Sequence, residues 1–90
     1  MHFVYVLKSQ KDGLLYIGFT DNVEARVLRH HAGEVSATKF RRPLELIFFE
    51  AYVMKSDALR RENYFKTAKG KTALKIMFKD YFSSFNEASL

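Results

Sequence analysis

Tyr5 and Tyr16, eleven positions apart in Phe3-Val4-Tyr5 and Tyr16-Ile17-Gly18, carry the first chemical signal in this chain. Aromatic bulk alone could come from phenylalanine, which occurs nine times, so two clustered phenols ask for hydroxyl chemistry. Arg26 and His30 follow, four apart, a spacing that puts both side chains on one helix face. A guanidinium there can hold a phosphate through two parallel hydrogen bonds, and an imidazole can take or give a proton near neutral pH. The alternative for this pair, with Arg29 beside it, is a solvated basic face. Glu62 completes the set. Ala58, Glu62 and Phe65 are spaced four and three apart, so the carboxylate belongs to an apolar stripe and needs a cation, a metal or hydrogen-bond donors. Magnesium takes few protein carboxylates and keeps several waters, so a single inward glutamate suffices for a metal site completed by substrate. An ion pair with Arg61, Lys66 or an arginine of the first helix would satisfy the same group.

The elements that position these residues follow from periodicity. His2 to Lys8 alternates, with Phe3, Tyr5 and Leu7 on one face and His2, Val4, Val6 and Lys8 on the other. Val4 and Val6 are also apolar, which predicts a strand covered on both faces. Ser9-Gln10-Lys11-Asp12-Gly13 reads as a turn and Leu14 to Gly18 as the second strand. If Lys8 pairs with Gly13, Tyr5 falls opposite Tyr16; a tighter turn at Asp12-Gly13 breaks that register. Asp21 is the expected N-cap of the first helix, with Glu24 three residues on. Val23, Val27 and His31 form its stripe and Gly33 its left-handed cap. Glu34 to Pro43 is a polar, basic connection. Leu44 to Val53 is a third strand, with Leu44, Leu46 and Phe48 on one face and Ile47 and Phe49 on the other. Ser56 or Asp57 is expected to cap a second helix running to about Ala68. Gly70 then interrupts, and Thr72 to Phe82 forms a third helix with Leu74, Met77, Phe78 and Tyr81 in its stripe. Residues 83–90 are expected to fray. The order β-β-α-β-α-α over residues 1–82 describes one α+β domain built on a small antiparallel sheet.

Composition is consistent with that size. At 48% hydrophobic and 16% aromatic, 90 residues can bury one core but not two. There is no cysteine, which removes disulfide scaffolds and thiolate metal sites. The longest dense apolar stretch, Leu44 to Met54, is broken by Glu45 and Glu50, and the N-terminus lacks a signal-peptide layout. A cytoplasmic protein with no membrane partner is the expectation.

Net charge is +5, which suits a polyanionic partner. Ser36-Ala37-Thr38-Lys39-Phe40-Arg41-Arg42-Pro43 places three cations and two hydroxyls ahead of the third strand. Such groups hold phosphodiester backbones without reading sequence. Lys66, Lys69, Lys71 and Lys75 form a second basic run. The residues expected to contact nucleic acid are Thr38, Lys39, Arg41, Arg42, Lys66 and Lys69; the plainer reading of both runs is soluble surface.

In order and spacing, Val4-Tyr5, Leu15-Tyr16-Ile17-Gly18, Thr20, Asn22, Arg26 and His30 resemble the GIY-YIG nuclease superfamily. Its signature takes in two tyrosines, the YIG glycine, a helix arginine and a later helix glutamate. The resemblance covers about Phe3 to Lys66. Ser36-Ala37-Thr38-Lys39 and Arg41-Arg42-Pro43-Leu44 resemble its small stand-alone members, relatives of the excision-repair nuclease subunit. Phe3-Val4-Tyr5 keeps only the tyrosine of the first triplet, whose other positions are strand packing.

The resemblance implies a three-stranded antiparallel sheet flanked by helices, with one divalent metal, Mg²⁺ or Mn²⁺, in a shallow site. It implies that Glu62 binds the metal and Arg26 neutralises the scissile phosphate. Tyr5 and Tyr16 would orient or deprotonate the attacking water, with His30 near that water or the leaving group. Gly18 would allow close backbone approach. A free phenol has a pKa of about 10, so Tyr5 serves as base only if metal or arginine lowers it, and Tyr5 and His30 both stand as candidates. The implied activity is endonuclease-type hydrolysis of DNA, branched or damaged DNA included, with little intrinsic sequence specificity, in a DNA-repair setting. With a single domain, substrate choice rests on that domain or on a partner. The alternative is a catalytically weak or inactive nucleic-acid-binding module on the same fold. Thr67-Ala68-Lys69-Gly70-Lys71 lacks the polar residue that many members carry after the glutamate helix, and that departure motivates it.

Overall fold

The computed structural model describes residues 1–88. The elements are β1 (His2–Ser9), β2 (Leu15–Thr20), α1 (Val23–His31), β3 (Leu44–Tyr52), α2 (Lys55–Phe65), α3 (Ala68–Met77) and α4 (Lys79–Ala88). The three strands form one antiparallel sheet in the order β2-β1-β3, so the most apolar strand is central. Val4, Tyr5, Val6 and Leu7 are all fully buried, which is why both faces of β1 read as apolar. Val4 and Val6 pack with Ile17, Ala58, Phe65 and Leu74, placing α2 and α3 on one face. Tyr5 and Leu7 pack with Leu44, Leu46, Tyr16 and Val27, placing α1 on the other. No helix among the described residues is long and apolar enough to cross a membrane.

The hairpin register differs from the one that would set Tyr5 against Tyr16. Lys8 pairs with Leu15, Leu7 with Tyr16 and Tyr5 with Gly18. The Ser9 hydroxyl accepts from the amides of Lys11 and Asp12, and the Gly13 amide donates to the Ser9 carbonyl. This turn consumes two more residues than a Lys8–Gly13 closure would. A shift of two preserves the alternation, so both tyrosines keep the same face and meet diagonally, ring centroids 6.2 Å apart.

The face assignment of β3 also changes within the strand. Leu46 pairs with Leu7 and Phe48 with Val6, leaving Ile47 as an extra residue in a bulge. Leu44 and Leu46 therefore lie on the α1 face while Phe48 packs with Phe65 and Phe78 on the other, instead of all three sharing one face.

Helix boundaries show where local signals compete. Asn22, not Asp21, caps α1, accepting from the Ala25 amide, while Asp21 takes a hydrogen bond from His2 Nδ1 at 2.7 Å. Gly33 has the expected left-handed backbone, φ 76°. Met54 occupies the N-cap of α2 with no side-chain cap, and Ser56 and Asp57 fall inside the first turn. Thr67 caps α3 by accepting from the Gly70 amide, so Gly70 lies within a helix instead of breaking one. A Cβ there would run into the Tyr64 carbonyl, so glycine at this position lets α3 start directly against the end of α2.

The expected helix from Thr72 to Phe82 is two helices that meet at Phe78, where backbone angles leave the helical region. The bend seats the Phe78 ring on Phe48, centroids 5.4 Å apart, and turns α4 so that Tyr81 reaches Glu45. α4 runs through Ala88, into the stretch from Ser83 expected to fray; residues 89 and 90 lie outside the described residues.

Candidate active site

Four of the five chemically suggestive side chains meet on the α1 face of the sheet. Tyr5 arrives from β1, Tyr16 from β2, and Arg26 and His30 from successive turns of α1. The Tyr5 hydroxyl lies 2.8 Å from His30 Nε2 and 3.4 Å from Arg26 Nε. The Tyr16 ring meets His30 edge-on, centroids 5.2 Å apart. His30 is fully buried, although its neighbours Arg29 and His31 are exposed. Arg26 is half-buried, its head toward the phenol, so the pair is not a solvated basic face.

Gly18 explains how the phenol fits. It sits directly across from Tyr5, and a Cβ would stand 2.5 Å from the Tyr5 oxygen. Any side chain here would displace the hydroxyl that Arg26 and His30 share.

The other ring nitrogen of His30 is held by Thr38, Nδ1 to Oγ1 at 2.7 Å. Thr38 is fully buried, so it cannot touch a phosphate backbone as expected; it orients the imidazole instead. Thr38 lies eight positions after His30 in the loop beyond α1, and no periodicity marks a loop hydroxyl as buried. Only the fold-back of that loop reveals the contact. Arg26 donates to the Tyr5 oxygen, and His30 bridges the Tyr5 and Thr38 hydroxyls through its two ring nitrogens.

Electrostatics keep this hydrogen-bonded group neutral apart from Arg26. Burial pushes the His30 pKa down to about 4, helped by Arg26, His31 and Arg29. Burial likewise pushes the Tyr5 phenol up to about 12, against the downward pull of the Arg26 hydrogen bond. The arginine alone therefore does not lower the phenol. The Arg26 guanidinium is itself shifted up by its hydrogen bond to Tyr5.

Glu62 belongs to α2, whose core residues Ala58 and Phe65 pack on the opposite face of the sheet. Arg61, roughly 50° to one side of that stripe, reaches Glu50 on β3 at 2.7 Å. Glu62 lies a similar angle to the other side, on the flank toward β2, the edge strand that carries Gly18. Its side chain is 16% exposed, and Oε2 accepts from the exposed Lys66 at 3.1 Å. Oε1 has no hydrogen bond among the described residues, and no buried side-chain oxygen there lacks one, so solvent reaches Oε1. A hard carboxylate oxygen open to water suits a cation that keeps most of its hydration shell. No group of three His, Cys, Asp or Glu gathers among the described residues, so an ion would draw its remaining ligands from water and substrate.

The other cations expected at a backbone divide in two. Arg41 is bound to Asp12 at 2.8 Å and to the Leu14 carbonyl, tying the loop to the hairpin. Arg42 donates to the Lys39 and His31 carbonyls, capping the end of α1. Lys39 and Lys69 are exposed, and Lys66 shares Glu62.

A model of the GIY-YIG catalytic domain matches residues 1–77. A UPF0213 protein of Staphylococcus epidermidis is 46% identical over 77 residues, covering 84% of this chain and 93% of its own. A UPF0213 protein of Staphylococcus haemolyticus shows the same identity and coverage. The solution NMR structure of a UPF0213 protein from Bacillus halodurans matches with a TM-score of 0.54 at 32% identity, over 84% of this chain and 83% of that one. A match spanning most of the sequence, joined to relatives 46% identical over 77 residues, makes this chain a member of the GIY-YIG catalytic domain family, a nuclease superfamily.

Proposed function

We propose that this chain is a metal-dependent endonuclease that hydrolyses DNA phosphodiester bonds with little sequence preference of its own. The reading rests on one observation above the others: the buried Tyr5 hydroxyl is shared between Arg26 and His30, with Gly18 kept clear beneath it. Arg26 pairs its guanidinium with the non-bridging oxygens of the scissile phosphate. Tyr16, against His30, walls the site and orients the attacking water. As water attacks phosphorus, its proton passes to solvent beside the half-buried Tyr16, while the fully buried Tyr5 and His30 hold the Arg26 guanidinium in place. The bond to the leaving oxygen breaks, and that oxygen takes a proton from solvent. Thr38 keeps Nε2 facing the phenol throughout. Glu62 would hold Mg²⁺ or Mn²⁺, which supplies positive charge against the charge that develops on the phosphate oxygens.

Purified protein incubated with nicked, branched and linear DNA plus Mg²⁺ or Mn²⁺ tests this. Cutting should depend on the metal and vanish in Glu62→Ala; cutting that survives the substitution removes the catalytic role of Glu62. The Lys66 hydrogen bond on Glu62 favours a second reading, a nucleic-acid-binding module that cuts poorly. Salt-dependent DNA binding with no metal-dependent cleavage selects that reading.

A further inference from the structure

The segment between α1 and β3 has no regular structure, yet its backbone is tied down from several sides. Thr38 and Lys39 amides donate to the Val35 carbonyl, each at 3.0 Å, and Arg41 N donates to Thr38 O at 2.9 Å. The hairpin grips the same stretch. Ser9 Oγ donates to the Arg41 carbonyl at 2.6 Å and Lys11 Nζ to the Phe40 carbonyl at 3.0 Å. Thr38 is anchored in the core by His30. A segment held this firmly nevertheless presents Phe40 at 75% exposure, the most exposed phenylalanine or tyrosine among the described residues.

Single exposed apolar side chains are ordinary, so exposure alone decides nothing. The surroundings of Phe40 do. Lys39 Nζ lies 4.9 Å from the ring centroid, and Lys11, His31, Lys39 and Arg42 join Phe40 in lining a shallow depression of about 650 Å³. No acidic residue lines it. An open aromatic face beside several cations matches a base followed by its phosphate, the arrangement that holds single-stranded nucleic acid. Purely aliphatic ligands would gain nothing from the cations, and the interior of a paired duplex offers no free base face.

We infer that Phe40 is a stacking platform for an unpaired nucleobase, with Lys39 and Lys11 on the adjoining phosphates. This rests on the nuclease reading and extends it by naming the substrate class, DNA with a single-stranded segment beside the cleavage point. Phe40 lies two residues after Thr38, at most about 7 Å along the backbone, and Thr38 touches His30. A base on Phe40 therefore rests on the same loop that anchors the imidazole of the candidate site.

The chain contains no tryptophan, so Phe40→Trp creates a sole tryptophan at the platform, excited selectively over the five tyrosines. Titration with a single-stranded deoxythymidine oligonucleotide should quench that fluorescence, and a blunt duplex should not. Phe40→Ala should weaken single-strand binding roughly 10-fold while leaving duplex binding within about twofold. Because the ring is exposed, circular dichroism of Phe40→Ala should match the parent. If Phe40→Ala binds the single strand as tightly as the parent, or Phe40→Trp shows no quenching, while the parent still cuts DNA with Mg²⁺, the platform is overturned and the nuclease reading stands. If the parent neither binds nor cuts DNA, both are overturned.

Discussion

Tyr5 and His30 are joined by a 2.8 Å hydrogen bond between two fully buried residues, one on the central strand and one on the helix that covers it. Burial drives their pKa values in opposite directions, to about 12 and about 4, so both are neutral across the physiological range.

This sets a pH window for stability. His30 falls from 6.5 to about 4 on folding, so its contribution is complete above pH 6.5 and is lost as pH drops through 6.5 toward 4. Tyr5 rises from 10.0 to about 12, so its contribution is complete below pH 10 and is lost as pH climbs toward 12. Urea denaturation at a series of pH values should show both limbs, and His30→Gln should flatten the acid limb between those pKa values. An unchanged acid limb in that variant would mean the imidazole is not the group responsible.

Gly18→Ala should cost about 1–3 kcal/mol, the usual range for overpacking, because its Cβ occupies the space of the Tyr5 phenol. Thermal unfolding measures this, and wild-type stability in the variant would contradict the close approach of strand and ring.

Thr38→Val keeps the shape of the side chain and removes the partner of His30 Nδ1. Stability should drop by about 1–3 kcal/mol and cleavage should slow, with Thr38→Ser restoring both. Nitrogen chemical shifts of the imidazole should show a single tautomer in the parent and a mixture in Thr38→Val, a readout that lost packing alone would not move.

Arg26→Lys retains the charge but loses the fork that spans Tyr5 and a phosphate. Cleavage should fall about 100-fold while DNA affinity changes only a few-fold. Equal losses in rate and affinity would instead mark Arg26 as a general contact to the backbone.

Lys66→Met frees the Glu62 carboxylate from its surface partner. Exposed pairs at this helical spacing are worth about 0.3–0.5 kcal/mol, so the Mg²⁺ concentration for half-maximal cutting should fall about twofold. No shift in the metal titration would place the ion away from Glu62.

Much of this was legible in the residues themselves. Alternating Val and Tyr or Leu positions in β1 announced a strand buried on both faces, and the Val23–Val27 stripe with Gly33 marked α1. Arg26 and His30 could be assigned to one face because four residues make one helical turn. Less legible were features fixed by competition between neighbours. Asn22 displaced Asp21 as cap because Asp21 is engaged by His2, a residue nineteen positions away. Gly70 read as a breaker because composition does not say that another helix end will press against it.

Local patterning, then, by itself determined the element types and the shared helix face of Arg26 and His30, because side-chain period and residue type act over a few neighbouring positions. Tertiary structure alone decided the two-residue slip that sets Tyr5 over Gly18, the bulge at Ile47, the burial of Thr38 against His30 and the standing of Glu62 on the far side of the sheet. Each of those depends on contacts between segments distant in the chain, where the energy of packing, not the periodicity of one segment, selects the arrangement.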